Sequence, residues 1–264
     1  MPVLERTGSF RPAPPEIRVL DADPDLARHL DPPAARDATR QVRARVATLP
    51  TGPWQPRLRG DANKVLGLLV LGGVISRQAS IGEVSSTELL GSGDVLRPWQ
   101  TDADVGLIPC EVTWEVLHIA RVAVLDRHFA EQITPWPELT AELLDRTVRR
   151  SRWQSLAVAI AHLRRVDLRL VILMWHLAER WGRVTPRGVV IPLQLTHERL
   201  AGLIGAQRPS VTTALNELLE RDVLGRRTDR CWILRARAQD ELDLICAQVS
   251  GPDRPFATLA VDAA

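Results

Sequence analysis

Between Leu195 and Arg235 the chain reads LTHERLAGLIGAQRPSVTTALNELLERDVLGRRTDRCWILR. Val211, Ala214, Leu215 and Leu218 follow an i, i+3, i+4, i+7 stripe there, so they share one face of a helix. Arg208, Pro209, Thr212, Thr213 and Asn216 are left on the other face, with Gln207 and Ser210 beside them. A guanidinium pairs bidentately with the O6/N7 edge of guanine. Small hydroxyls reach phosphate oxygens, base edges or a thymine methyl. That chemistry reads a duplex groove; it does not make or break bonds.

Other residues of the stretch position this face. Thr196 is placed to cap a first helix, with Leu195 and Leu200 as a hydrophobic staple. Ala201 is small enough for a second helix to cross closely. Gly205 sits where the turn between the helices needs positive φ. The second helix starts near Gln207, and Pro209 is tolerated in its first turn. Two short strands, Val223–Arg226 and Cys231–Leu234, flank the turn pair Thr228–Asp229. They form a wing whose tip carries Arg226, Arg227 and Arg230. From residue 194 to 238 eight arginines face five acidic residues, a local charge of +3. A buried αα-corner with solvated arginines is the plainer reading, and a helix–glycine–helix pattern alone would favour it. The polar outer face and the basic wing together point to a winged helix-turn-helix. Its expected DNA-binding set is Thr196, Gln207, Arg208, Ser210, Thr212, Thr213, Arg226, Arg227 and Arg230.

Composition bounds the rest. At 264 residues and 45% hydrophobic content the chain can bury a sizeable core. The net charge is only +2, so affinity for nucleic acid must come from a local patch. Of the 34 basic residues only Lys64 is a lysine, so arginine abundance by itself says little. Cys110, Cys231 and Cys246 make no metal or cluster spacing and read as reduced thiols of a cytoplasmic protein. No signal segment opens the chain and no apolar run approaches membrane-spanning length. No phosphate loop, HExxH, GxSxG or CxxC occurs. His197–Glu198 lacks a second histidine, since Ala201 stands at that place. The expectation is a protein that is not an enzyme and carries no cofactor or metal.

In chain order, residues 1–16 read as a loose tail, Ile17–Leu20 as a short strand, and Asp25–Leu30 and Pro33–Val46 as helical pieces. Arg36, Arg40, Arg43 and Arg45 read as a solvated face. Short β-like runs follow at Val46–Leu49, Val65–Leu71, Gly73–Arg77, Ser85–Leu90, Asp94–Arg97, Glu111–Leu117 and Ala120–Leu125. Glycine-rich turns separate them, which suggests a sandwich or small barrel filled by Trp54, Trp99 and Trp114. One long helix runs from about Pro137 to Arg165. Trp153, Leu156, Ile160 and Leu163 are spaced 3, 4, 3 along it, the rhythm of a dimer seam, with Arg146, Arg149, Arg150 and Arg152 flanking. Further helices are expected at Asp167–Trp181, closed by Gly182, and at Ala238–Val249, with a strand at Val189–Leu193.

β-barrel, long helix, winged helix-turn-helix: this order, with LTHERLAGLIGAQRPSVTTAL and ELLGSGDVL (Glu88–Leu96), resembles the Crp/Fnr family of bacterial transcription regulators. The likeness spans roughly residues 17–240. It implies an α+β chain with an antiparallel, cyclic-nucleotide-binding-like barrel or jelly roll at 17–135. A dimerisation helix at 136–165, a winged helix-turn-helix at 166–250 and a loose tail at 251–264 complete the expected organisation. It also implies a homodimer bound to double-stranded DNA, and possible contact with RNA polymerase. Arg208 matches the family's first recognition-helix arginine. Pro209 and Thr213 stand where an acidic residue and a second arginine are common. In cyclic-nucleotide-binding relatives a Gly-Glu pair and a later arginine hold ribose and phosphate. Here Arg97-Pro98-Trp99 follows the Gly93–Asp94 turn, and residues 98–120 contain no arginine or lysine. Asp102, Asp104, Glu111 and Glu115 stand there instead, so an anionic phosphate would lack a counter-charge. Cyclic AMP is therefore not expected to bind in the usual way. Arg97 and Trp99 are the residues left for a displaced pose, and the effector is unknown. The competing expectation is an interaction protein with a vestigial barrel and little DNA binding.

Overall fold

The computed structural model describes residues 4–5, 15–58, 65–99 and 109–250. The expected tails at 1–16 and 251–264 lie largely outside these, as do Asp102 and Asp104. The chain divides into two compact units, 1–155 and 156–264.

The first unit is built on strand alternation. Its strands are β1 (Leu4–Glu5), β2 (Glu16–Arg18), β3 (Arg43–Leu49), β4 (Gly52–Trp54), β5 (Arg57–Leu58), β6 (Gly67–Ile81), β7 (Val84–Leu90), β8 (Val95–Leu96) and β9 (Glu111–Leu125). The main sheet runs β2-β3-β9-β6-β7, with β4 on β9 and β8 on β6, and every pairing is antiparallel. β1 pairs only with β5. Successive side chains point to opposite faces. Leu68 and Val70 join Trp54, Ile75, Leu90, Val116 and Val122 in one buried cluster. Leu69 joins Val46, Ala123 and Leu125 in a second cluster, with the helices α1 (Val19–Ala22), α2 (Pro32–Gln41), α3 (Arg127–Ile133) and α4 (Pro137–His162).

Several expectations are corrected here. The Gly72–Gly73 turn is not a turn; both glycines lie within β6, and register shifts between Val70 and Ile75 absorb them as irregularities. Glu111–Leu117 and Ala120–Leu125 are likewise one strand. β6 and β9 pair along their length, and that ladder satisfies the backbone groups a local turn would have diverted. The sheet path has ends at β2 and β7, so the described strands form an open sheet rather than a closed barrel. The helix expected over Pro33–Val46 stops at Gln41, because Ala44 and Val46 are buried as alternate residues of β3. Val19 opens α1 rather than continuing a strand, and Pro24–Ala27 is a single 3₁₀ turn. Leu4–Glu5, expected to be loose, is a paired strand.

In the second unit α5 (Val166–Trp181), α6 (His197–Ile204) and α7 (Arg208–Glu220) pack on one another. A four-stranded sheet β10-β11-β13-β12 supports them, from β10 (Arg183–Thr185), β11 (Gly188–Ile191), β12 (Leu224–Arg226) and β13 (Trp232–Leu234). α8 (Arg237–Ser250) follows. The helix expected over Asp167–Trp181 supplies Leu170, Val171, Leu173 and Met174 to this core. No helix among the described residues is long and apolar enough to cross a membrane.

Candidate nucleic-acid interface

The turn between α6 and α7 is built as its residues imply. Thr196 accepts the Arg199 amide at 3.2 Å, and the staple residues Leu195 and Leu200 are both buried. Gly205 takes φ +59°, ψ 46°, the left-handed conformation that lets the Ala206 amide close onto the Ala201 carbonyl. Sequence reasoning missed Arg169. Its Nε donates to the Leu163 carbonyl at 2.6 Å, and its Nη1 to the carbonyls of Ile204 and Gly205 at 3.3 and 3.1 Å. It satisfies helix-end carbonyls of α6 while holding the segment that follows α4.

α7 presents the expected face. Val211, Ala214, Leu215 and Leu218 are buried, whereas Gln207, Arg208, Pro209, Ser210, Thr213 and Asn216 are exposed. Gln207 is the N-cap in extended conformation, without a side-chain cap bond. Arg208 makes no ion pair among the described residues, so its guanidinium needs no exchange of partners to meet a base. The threonines are more committed. Thr212 donates to the Arg208 carbonyl at 3.0 Å, and Thr213 to the Pro209 carbonyl at 3.3 Å. A hydroxyl has one proton, so in this arrangement neither donates to a phosphate as well. The Thr212 oxygen also lies 3.0 Å from Nδ1 of His197. With the threonine proton already used, that bond requires His197 Nδ1–H as donor. Burial, then the charges of Arg226 and Arg208, hold the His197 pKa below its ordinary value, which keeps the ring neutral. His197 was visible in the sequence only as half of a failed metal motif; its place in this network depends on the fold.

The wing is shorter than expected at each end, β12 starting at Leu224 and β13 at Trp232. Around its tip the Arg227 amide bonds the Cys231 carbonyl, and Asp229 accepts the Cys231 amide, both at 3.0 Å. Arg230 is held at φ +65°. Arg226, Arg227 and Arg230 are all exposed. Arg227 Nε lies 3.0 Å from Asp229, whereas Arg230 has no ion pair among the described residues. Arg226 stacks 4.4 Å above the Trp232 ring. Trp232 is completely buried, and its Nε1 donates to the Leu195 carbonyl at 3.2 Å. One indole thus fixes the wing to the entry of α6. No local pattern in the sequence signals this.

The other expected sites are less direct. Arg97 and Trp99 are half-buried; Trp99 packs on the cluster of Trp54 and Trp114, whose rings meet edge to face at 5.7 Å. Of the expected seam, Leu156 is exposed, Trp153 and Leu163 are half-buried, and Ile160 is 3% exposed, so the chain itself already covers Ile160. The arginines expected to flank the seam are corrected: Arg146 and Arg150 turn inward, and the exposed Arg149 is spent on a buried carboxylate. Arg146 is paired with Asp23 and with Glu142 at 2.9 Å, Arg149 with Glu142 at 2.7 Å, and Arg150 with Glu88 at 2.7 Å. Arg45, expected on a solvated face, is paired with Asp126 at 2.6 Å.

Comparison with known proteins agrees with this geometry. The family model of the Crp-like helix-turn-helix domain matches residues 168–239. The regulatory protein CysR of Synechococcus elongatus is 28% identical over 157 residues, covering 58% of this chain and 68% of CysR. Among solved structures, a CooA mutant from Carboxydothermus hydrogenoformans is similar with TM-score 0.58 at 17% identity, covering 76% of this chain and 87% of that one. FixK2 from Bradyrhizobium japonicum gives 0.55 at 14%, covering 81% and 99%. A cyclic nucleotide-binding domain containing protein from Listeria monocytogenes gives 0.58 at 15%, covering 82% and 97%. These structures share the fold. With the capped turn, the outward face of α7 and the basic wing, residues 168–239 form a Crp-like helix-turn-helix domain, and the chain is a DNA-binding transcription regulator built on that domain.

Proposed function

We propose that the protein acts as a homodimer that places α7 of each subunit into one of two successive major grooves. The observation that carries this reading is the unpaired Arg208 at the exposed start of α7, on a face whose opposite side is sealed by Val211, Ala214, Leu215 and Leu218. Arg208 reads a guanine, Thr213 accepts from a base amino group, and Gln207, Ser210 and Thr196 lie against phosphates at helix starts. Arg226, Arg227 and Arg230 grip the flanking backbone. Because Ile160 of the expected Trp153 seam is 3% exposed, the reading takes a neighbouring row of α4 as the dimer face. Leu144, Val148, Ser151, Ser155 and Val158 recur along α4 at 4, 3, 4 and 3, and Leu144 and Val158 are 64% and 59% exposed. The protein acts without catalysis, in the cytoplasm, and affects transcription by meeting or blocking RNA polymerase at the bound site. Cyclic AMP does not occupy the sheet unit in the usual way of cyclic-nucleotide-binding relatives, because residues 98–120 offer no arginine or lysine to an anionic phosphate.

Selection of binding sites from a random oligonucleotide pool tests the reading. The expected product is a palindrome with half-site centres about 34–36 Å apart, one helical turn. Recovery of unselected sequence, or of a single asymmetric half-site, would overturn it.

A further inference from the structure

Arg187, Arg226, Arg227, Thr228, Ile233 and Arg235 line a cleft of about 490 Å³ between the β10–β11 turn and the wing. No carboxylate lines it. The Arg226 guanidinium is stacked on Trp232, which leaves Arg187, Arg227 and Arg235 as the cations of the cleft. Arg235 is deliberately seated. A Cβ on Gly225 would lie 2.8 Å from its Nε and 3.1 Å from its Nη2, so a side chain there would push this guanidinium from its present place. Nη1 donates to the Arg187 carbonyl at 3.4 Å, which ties the wing residue to the neighbouring turn. The Arg235 Nε is buried and makes no hydrogen bond; the nearest acid, Asp222, is 3.6 Å away and largely exposed. The Arg187 guanidinium has no ion pair among the described residues. Asp229 beside Arg227 and the exposed Asp222 beside Arg235 offset part of this charge, so the concavity, with Arg187 and one donor of Arg235 unused, keeps a net positive charge. Planar guanidinium forks match phosphate oxygens.

We propose that this cleft is a phosphoryl-binding site in which Arg187 and Arg235, assisted by Arg227, hold the oxygens of one phosphate group. The phosphate comes either from the DNA backbone beyond the wing or from a free phosphorylated small molecule. The first source rests on the DNA-binding reading; the second does not. The test uses the full chain and an Arg187→Gln/Arg235→Gln variant in two arms. The first measures affinity for random duplex DNA across salt concentrations. The second titrates pyrophosphate at constant ionic strength and reads thermal melting.

If the backbone fills the cleft, the variant's log–log salt slope falls by about 0.9, the share of a single phosphate contact, and the selected sequence does not change. If a free phosphate fills it, pyrophosphate raises the melting temperature of the wild type only, and the slope is unaffected. Gly225→Ala, which keeps every charge but unseats Arg235, moves whichever arm responds in the same direction. An unchanged slope together with no pyrophosphate effect overturns the proposal. A wild type that ignores duplex DNA but binds pyrophosphate through these arginines would instead overturn the DNA reading and keep the site.

Discussion

The buried arginines of the first unit and the exposed arginines at the start of α7 and the wing tip of the second are spent in opposite ways. In the first, arginine is a structural cross-link. Arg146 is 5% exposed and bonded to two carboxylates, Glu142 is wholly buried beneath three guanidinium groups, and Arg150 clasps both oxygens of Glu88 at 2.7 and 2.8 Å. Burial works against the charge on Glu142, but the bonds and charges of Arg146 and Arg149 outweigh it and hold its pKa below the usual carboxylate range. In the second unit Arg208 and Arg230 are exposed with no acid partner, and Arg226 rests on a ring face rather than a carboxylate. A paired, buried arginine has already exchanged water for protein and has nothing left to offer a ligand. An exposed unpaired one gains only when a phosphate or a guanine arrives. The contrast teaches that arginine content is uninformative until each guanidinium's partner is known.

The sharpest way to break the comparison is Arg146→Leu. It strands the carboxylate of Asp23 and leaves Glu142 only Arg28 and Arg149, so urea unfolding followed by tryptophan fluorescence should lose about 3 kcal/mol. A loss below roughly 1 kcal/mol would mean that these bonds are as dispensable as surface pairs. Arg208→Ala should do the reverse. Melting stays unchanged, while affinity for the selected site drops by about 1–3 kcal/mol and preference flattens at one position per half-site. Fluorescence anisotropy with single-base variants checks this, and a uniform loss across variants would remove Arg208 from base reading.

A third outcome concerns acid. Burial, with Arg180 beside it, pushes the His176 pKa down to about 3; Glu179, 4.0 Å away and mostly solvated, does not offset this. The folded state therefore binds fewer protons than the unfolded one between about pH 6.5 and 3, so this contribution is present above pH 6.5 and is lost as pH falls through that window. The second unit should lose stability toward pH 5 at up to about 1 kcal/mol per unit. His176→Gln should flatten that dependence; identical slopes would show that His176 is not the sensitive group. Smallest of all is Arg227→Ala. Asp229 already shares its charge, so duplex affinity should weaken by less than about 1 kcal/mol, equally for all sequences, with the salt slope lower by about 1.

Much of the DNA-binding surface was legible because its signals are local. A capping threonine, a turn glycine, a four-residue apolar stripe and a turn pair each act within a few residues, and each is found where its chemistry places it. The glycine pair at 72–73 misled for the opposite reason. A local turn signal lost to a ladder formed with a strand some fifty residues later. The row on α4 shows the same limit: heptad spacing identifies an apolar row but not which neighbour covers it, and within that row Leu156 is 44% exposed whereas Ile160 is covered by its own chain.

By itself, the order of residues determined the elements of the DNA-binding unit and the face that α7 turns outward, since capping, periodicity and turn chemistry act over one or two helical turns. Tertiary structure alone decided which guanidinium groups are spent and which are available. Asp23 and Arg146 lie 123 positions apart, and Trp232 reaches back 37 residues to Leu195. A side chain's partner depends on what folding brings beside it, and short-range spacing carries no record of that.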